Sequence, residues 1–341
     1  SERGFQLRLR GQFLDLTAGP SDPIREPAMF SLILAAALLT DPVATPVTLP
    51  SGPAPLHGTL LTPGGPTRAA ALIIAGSGPT DRNGNNPLGI SASSYRLLAE
   101  GLAGQGIATV RADKRGVGES AYPGMIEADL RFTDYADDAR AWAAETARLT
   151  GQPCAWLIGH SEGAMVALVA AAGGDEAVCG LVLLAGAGRP VGAVLREQLA
   201  NVPEPLRGQA VAILAELEAG RPVTDVPPQL AALFRPSVQP YLISWLPLDP
   251  AAMVAAYQGP VMIGQGTTDI QVGLTDANAL AAARPGARLT IWRGVNHLLK
   301  IAPADRAANI ATYSDPNLAL APGVVGDVAG FILQPHRTSA D

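Results

Sequence analysis

The stretch Cys154-Ala155-Trp156-Leu157-Ile158-Gly159-His160-Ser161-Glu162-Gly163-Ala164-Met165-Val166-Ala167-Leu168 reads as a buried strand, a sharp turn and a helix. Residues 154–158 are a continuous apolar run of strand length, and residues 164–168 favour helix. Between them Gly159-x-Ser161-x-Gly163 matches the nucleophile-elbow pattern. Chance gives about 0.2 matches to the bare pattern at this glycine and serine content, so the spacing alone is weak. A strand before it and a helix after it make it strong. Glycines two residues either side of the serine avoid Cβ clashes in a strained turn. The serine oxygen then stands at a helix N-terminus, where the dipole favours developing negative charge.

Outward from this turn, short apolar runs alternate with helical patterns from about Val47 onward, the rhythm of a mostly parallel α/β sheet. Strands are expected at 56–61, 69–75, 107–111, 154–158, 178–184, 261–265 and 288–292. Helices are expected at 95–105, 135–149 and 274–283. Residues 189–257 break the rhythm. Leu206, Ala210, Ile213, Leu214 and Leu217 fall at helical spacing there, and prolines from Pro203 to Pro247 cut the segment into short pieces. It reads as a lid inserted between two strands.

Residues 1–46 show no sustained periodicity and are expected to be poorly ordered. Within them, 29–40 form a signal-like apolar segment, too short to span a bilayer, which needs about 20 residues. Export or a periplasmic location is therefore favoured over the cytoplasm, and no stable membrane span is expected.

The composition excludes several classes. The 341 residues carry a net charge of −6 and are 48% apolar, which supplies a large core. Without clustered Lys/Arg there is no nucleic-acid footprint. Lys114 and Lys300 are the only lysines, so a P-loop is absent. Two cysteines and four histidines show no zinc-site spacing, and no metal is expected. Gly186-Ala187-Gly188-Arg189-Pro190-Val191-Gly192 has glycines like a dinucleotide fingerprint, but Pro190 and the lack of a following strand ending in an acid argue against one.

A serine nucleophile needs a base. His57 precedes the elbow, His160 adjoins the serine and should point away from it, and His336 lies in a polar tail. His297 follows the last strand in a loop able to bend back over the sheet, and is the candidate. Asp269, in Gly266-Thr267-Thr268-Asp269 at the carboxyl edge, is the candidate to orient it. Its competitors have structural roles to fill, Asp276 at a helix start and Asp249 before a proline. An oxyanion needs two donors, and the backbone N–H groups of Glu162 and Ser77 are expected to supply them. Ser77 is flanked by glycines in the loop after strand 69–75. Asp113 and Arg115 read as turn-stabilising.

The order strand, elbow, lid, Asp loop, His loop resembles the α/β-hydrolase superfamily. Three motifs are similar to a bacterial serine carboxylesterase branch: Gly76-Ser77-Gly78-Pro79-x-Asp81-Arg82-x-Gly84-Asn85, Arg235-Pro236-Ser237-Val238-Gln239-Pro240-Tyr241, and Gln265-Gly266-Thr267-Thr268-Asp269-Ile270-Gln271-Val272. The likeness spans about Val47 to Leu333. It implies an α/β-hydrolase domain at 47–341 with a small helical cap at 189–257 after the sixth strand. It also implies cofactor-free hydrolysis of small-molecule carboxylic esters through Ser161, Asp269 and His297. Short acyl chains, about C2 to C8, are expected because a compact lid opens little, with Tyr241 and Trp245 as pocket residues. Peptidase, thioesterase or acyltransferase chemistry on the same triad, and a non-catalytic ligand-binding protein, are the alternatives. Cys154 and Cys179 begin strands that this fold sets side by side. We read them as two buried apolar thiols, with a disulfide as the alternative that export would permit. The oligomeric state is not legible.

Overall fold

The computed structural model describes residues 40–336, and residues 1–39, with all of the signal-like segment but Thr40, lie outside it. Eight strands follow in chain order: β1 (Val43–Leu49), β2 (Leu56–Thr62), β3 (Ala69–Ile74), β4 (Ile107–Ala112), β5 (Ala155–His160), β6 (Val178–Leu184), β7 (Val261–Gly266) and β8 (Arg288–Trp292). They make one sheet in the order β1-β2-β4-β3-β5-β6-β7-β8. β1 and β2 pair antiparallel, β2 runs antiparallel to β4, and the rest of the sheet is parallel.

Helices α1 (Ser94–Ala103), α2 (Phe132–Thr150) and α3 (Glu162–Ala171) connect the middle strands. The β6–β7 connection holds α4 (Val191–Leu199), α5 (Leu206–Glu218), α6 (Ala231–Phe234), α7 (Gln239–Trp245) and α8 (Pro250–Ala256), without a strand. α9 (Leu274–Ala283) joins β7 to β8, and α10 (Arg306–Ala311) and α11 (Val324–Leu333) follow.

The period of two along each strand divides the core. Leu72, Ile74, Leu157, Leu181 and Leu183 pack toward α2, α3 and the inserted helices. Ala71, Ile73, Ile158, Val182 and Leu184 pack toward α1 and α11 on the other face. Burial on both faces is why these strands read as unbroken apolar runs. Local signals set the ends: Gly151 takes the left-handed conformation after α2, and the Asp249 carboxylate caps α8 with Pro250 at its first position. α7 packs on α2, and α8 packs on α3.

Two differences from the sequence reading have physical causes. The sheet begins at Val43, within the expected tail, because β1 is a mostly exposed edge strand containing Pro46. Such a strand lacks the apolar run that marks a buried one, and proline is tolerated at an edge. The second concerns the cysteines. Cys154 and Cys179 are joined by a disulfide, with Cα atoms 5.2 Å apart, where the sequence favoured two thiols. Parallel register sets Ala155 opposite Val178, which brings the two sulfurs together at the amino edge of the sheet. Thiol titration of the unfolded, unreduced protein should find no free thiol, whereas two would exclude the bridge. Reduction should lower the unfolding free energy by about 3 kcal/mol, as expected for closing a loop of this length.

Candidate active site

β4 lies on one side of β3 and β5 on the other, so the sheet has a switch point there. Crevices at such points open at the carboxyl ends of the strands. Ser161 follows β5 and is the residue before α3, with φ 55° and ψ −121°. Only a close approach of strand and helix gives that geometry, and the two glycines permit it. A Cβ on Gly159 would lie 2.2 Å from the Gly163 carbonyl oxygen, and one on Gly163 would lie 2.3 Å from the Ile74 carbonyl oxygen.

Two neighbouring loops bring the acid and the histidine together. The strand pair β7–β8 continues past its ends through Thr267 N–H to the Trp292 carbonyl and Thr268 N–H to the Val295 carbonyl. His297 Nδ1 then lies 2.8 Å from Asp269 Oδ2, with both side chains buried. Gln265 Nε2 donates to the same carboxylate oxygen at 3.1 Å, and the Gln271 and Val272 N–H groups donate to Oδ1 at 2.8 and 3.0 Å. Burial opposes ionisation of Asp269, but His297 and these donors outweigh it and hold the carboxyl below its usual range. An ionised carboxylate only accepts, so His297 carries its proton on Nδ1 and presents the Nε2 lone pair. In this structure the Ser161 hydroxyl makes no hydrogen bond to His297.

The loop after β3 comes up beside the serine. A Cβ on Gly76 would sit 3.2 Å from the Ser161 Cβ, so Ser77 borders Ser161. Neither Ser77 N–H nor Glu162 N–H donates to a backbone acceptor among the described residues. Asp81 receives the Asn83 and Asn85 N–H groups, and Asn85 receives that of Ser93. Asp113 receives the Arg82 N–H and guanidinium, while Arg115 pairs with Asp138. The polar residues of the loop motif therefore hold a backbone shape. Beneath the loop, Lys114 Nζ donates to the Gly76 carbonyl at 2.6 Å and lies 3.5 Å from the buried Glu162 carboxylate.

A cavity of about 150 Å³ opens on Ser77, Ser161 and Glu162. Its walls are mostly apolar and come largely from the inserted helices, with Leu195, Leu242, Trp245 and Leu248 beside Met165 and Val272. Trp245 thus lines the cavity that opens on Ser161. Tyr241 does not: it packs against Phe132, Tyr135 and Trp245 and lines a neighbouring cavity with Lys114 and Glu162. One turn of α7 separates the two residues, and helical spacing alone does not say which wall each faces.

The competitors fall into structural roles. Asp276 is fully buried at the start of α9, where it receives the Gly188 and Arg189 N–H groups and the Arg189 guanidinium. His160 faces the α1 side, away from the serine hydroxyl's cavity. His336 bonds the Phe331 carbonyl beyond the last helix. Gln265 opens one of the three motifs but had no role assigned to it, although a polar side chain near the end of a fully buried strand was the available signal.

Comparison with known proteins places the chain. The profile of a family described as serine aminopeptidase, S33, matches residues 88–310. No curated protein matches the sequence significantly. Among solved structures, Est1E from Butyrivibrio proteoclasticus is similar, with a TM-score of 0.52 and 18% identity over 78% of this chain and 94% of that one. Proline iminopeptidase from Mycobacterium smegmatis gives 0.53 and 17%, covering 74% of this chain and 92% of its own. The 2-hydroxy-6-oxo-6-phenylhexa-2,4-dienoate hydrolase from Rhodococcus sp. strain RHA1 gives 0.51 and 18%, covering 76% and 94%. At these identities the likeness is one of fold. The family match over most of the chain goes further: this protein belongs to the serine aminopeptidase S33 family of α/β-hydrolases.

Proposed function

We propose that this hydrolase is a serine carboxylesterase acting on small esters with short acyl chains. The observation that carries the reading is the buried Asp269–His297 pair, in the tautomer of a general base, at the same sheet edge as a strained serine. Ser161 Oγ attacks the ester carbonyl while His297 Nε2 takes its proton, and Asp269 stabilises the imidazolium. The Ser77 and Glu162 N–H groups receive the oxyanion. The imidazolium returns the proton to the leaving alcohol, and a water, deprotonated by the same nitrogen, releases the acid from the acyl-enzyme. No step calls on a cofactor.

The cavity supports ester over peptide substrates. An aminopeptidase must hold a free ammonium group, and the carboxylate lining this cavity, Glu162, is already paired with Lys114. Its size supports a short acyl group, since an apolar cavity of about 150 Å³ takes a molecule such as benzene. The residues 189–257 act as the cap whose helices close this acyl pocket. Among the described residues no helix is long and apolar enough to cross a membrane. The disulfide suits an oxidising compartment, which supports export.

Ser161→Ala should keep the fold and lose turnover, leaving a residual of roughly 10³–10⁴ over water. Wild-type-like hydrolysis by this variant would contradict the assignment. Asp269→Asn should cost about 10⁴ in kcat through the wrong tautomer. Asp276→Asn should lower Tm with little change in kcat, and the reverse ranking would move the acid to Asp276.

On acidification kcat should fall with the slope of a single proton. Asp269 stays ionised because its carboxyl is held low, and burial with the His297 charge keeps His160 neutral down to about 3. Neither of these buried groups therefore adds a second proton to the profile. A two-proton slope above about pH 4 would show a second essential base.

A panel of p-nitrophenyl esters should give an optimum within about C2 to C8, with each well-fitted methylene worth up to about 0.8 kcal/mol. Trp245→Ala should lengthen the preferred chain. Amino-acid p-nitroanilides cleaved faster than the esters would turn the reading to an aminopeptidase.

A further inference from the structure

Two buried side chains with no part in the chemistry above connect the loops that carry it. The Tyr95 hydroxyl, on the first turn of α1, receives the Gly76 N–H at 2.9 Å. The same oxygen lies 2.9 Å from His160 Nδ1, and His160 Nε2 lies 2.7 Å from the His297 carbonyl oxygen. Tyr95, His160 and His297 are each at most 4% exposed. The partners are 19, 65 and 137 residues apart in sequence, so local chain geometry does not account for the chain of contacts.

The protons in this chain have one consistent arrangement. A carbonyl oxygen only accepts, so His160 Nε2 carries a hydrogen. Burial keeps the ring neutral, so Nδ1 is bare and accepts the tyrosine proton. The tyrosine oxygen then has a lone pair for the Gly76 N–H. Every polar atom is satisfied, and no alternative set of protons satisfies all of them.

Resting on the esterase reading of Ser161, Asp269 and His297, we propose that Tyr95 and His160 are positioning residues that fix the oxyanion loop and the general-base loop relative to one another. Both backbone polar groups of Gly76 are held. Tyr95 holds the Gly76 N–H, and Lys114 Nζ holds the Gly76 carbonyl at 2.6 Å. A trans peptide sets its C=O and N–H in opposite directions, so fixing the Gly76 carbonyl aims the Ser77 N–H. Tyr95 also donates its own backbone N–H to the Asn83 carbonyl, which ties down the far end of the same loop. At the other terminus, the His160 ring packs 4.8 Å from the His297 ring, centroid to centroid, while its N–H holds the His297 backbone. His160 is next to Ser161 in the chain, so nucleophile, base and oxyanion donor share one buried polar thread.

The test is steady-state kinetics on a p-nitrophenyl ester, with active sites counted by a fluorophosphonate so that only folded, labelled enzyme enters kcat. Tyr95→Phe keeps the ring and deletes the hydroxyl. It should lower kcat by about 10- to 100-fold with KM within about twofold, because misplacement without loss of binding acts on turnover. His160→Gln places an amide nitrogen near the Nε2 position and should retain at least about 10-fold more kcat than His160→Leu. Tyr95→Phe with wild-type kcat, or equal kcat in the two His160 variants, would overturn the proposal. A change in KM or in the labelled fraction alone would overturn it too, by marking a purely structural role. A wild-type protein that takes no fluorophosphonate would overturn the esterase reading and the relay together.

Discussion

A side chain on Gly163 would put its Cβ 2.3 Å from the Ile74 carbonyl oxygen and 2.8 Å from that of Ala75. That contact distance is the constraint on which the site depends. The N-terminus of α3 must pass directly over the end of β3, and it can do so only where there is no side chain. Ser161 is driven to φ 55° as a result, a conformation that costs a non-glycine residue of order 1–3 kcal/mol. The same contact brings the loop after β3 against Ser161. Sheet order supplies the rest, since the loops after β7 and β8 end at the same edge.

Electrostatics divides the buried groups into two kinds. Asp269 is kept charged by donors that fill both oxygens, although its burial favours the neutral acid. His160, equally buried but facing only a hydroxyl and a carbonyl, is kept neutral. A charged His160 beside His297 would oppose the imidazolium that the proposed mechanism forms there. Two histidines in ring contact are thus separated in role by their partners.

The parts of this arrangement that depend on period and punctuation are visible in the sequence. Buried strands show as apolar runs, the strand-to-helix turn at Ser161 as paired glycines, and the proposed acid and base, Asp269 and His297, as polar residues just past strand ends. β8 and α9 have the limits that the sequence suggests. What depends on side-chain direction or distant pairing is not visible. β1 hides because an exposed edge strand with a proline has no apolar signature. The cysteines carry no mark of their pairing until parallel register aligns two strand starts. Tyr241 and Trp245 lie four residues apart in one apolar helix and both pack against Phe132, and only tertiary packing, with Tyr241 turned to Tyr135, decides which of them reaches the serine's cavity. Tyr95 meets Gly76 and His160 across 19 and 65 residues of chain, partners that the sequence does not place beside it.

The central claim is that an acyl group passes through Ser161. Rapid quenching of the enzyme with a p-nitrophenyl ester in acid, followed by peptide mass spectrometry, tests this most directly. The account predicts the acyl mass on the peptide carrying Ser161, formed within the first turnover and lost as the substrate is exhausted. Full turnover with no acylated peptide, or with the acyl group on a different residue, would contradict it.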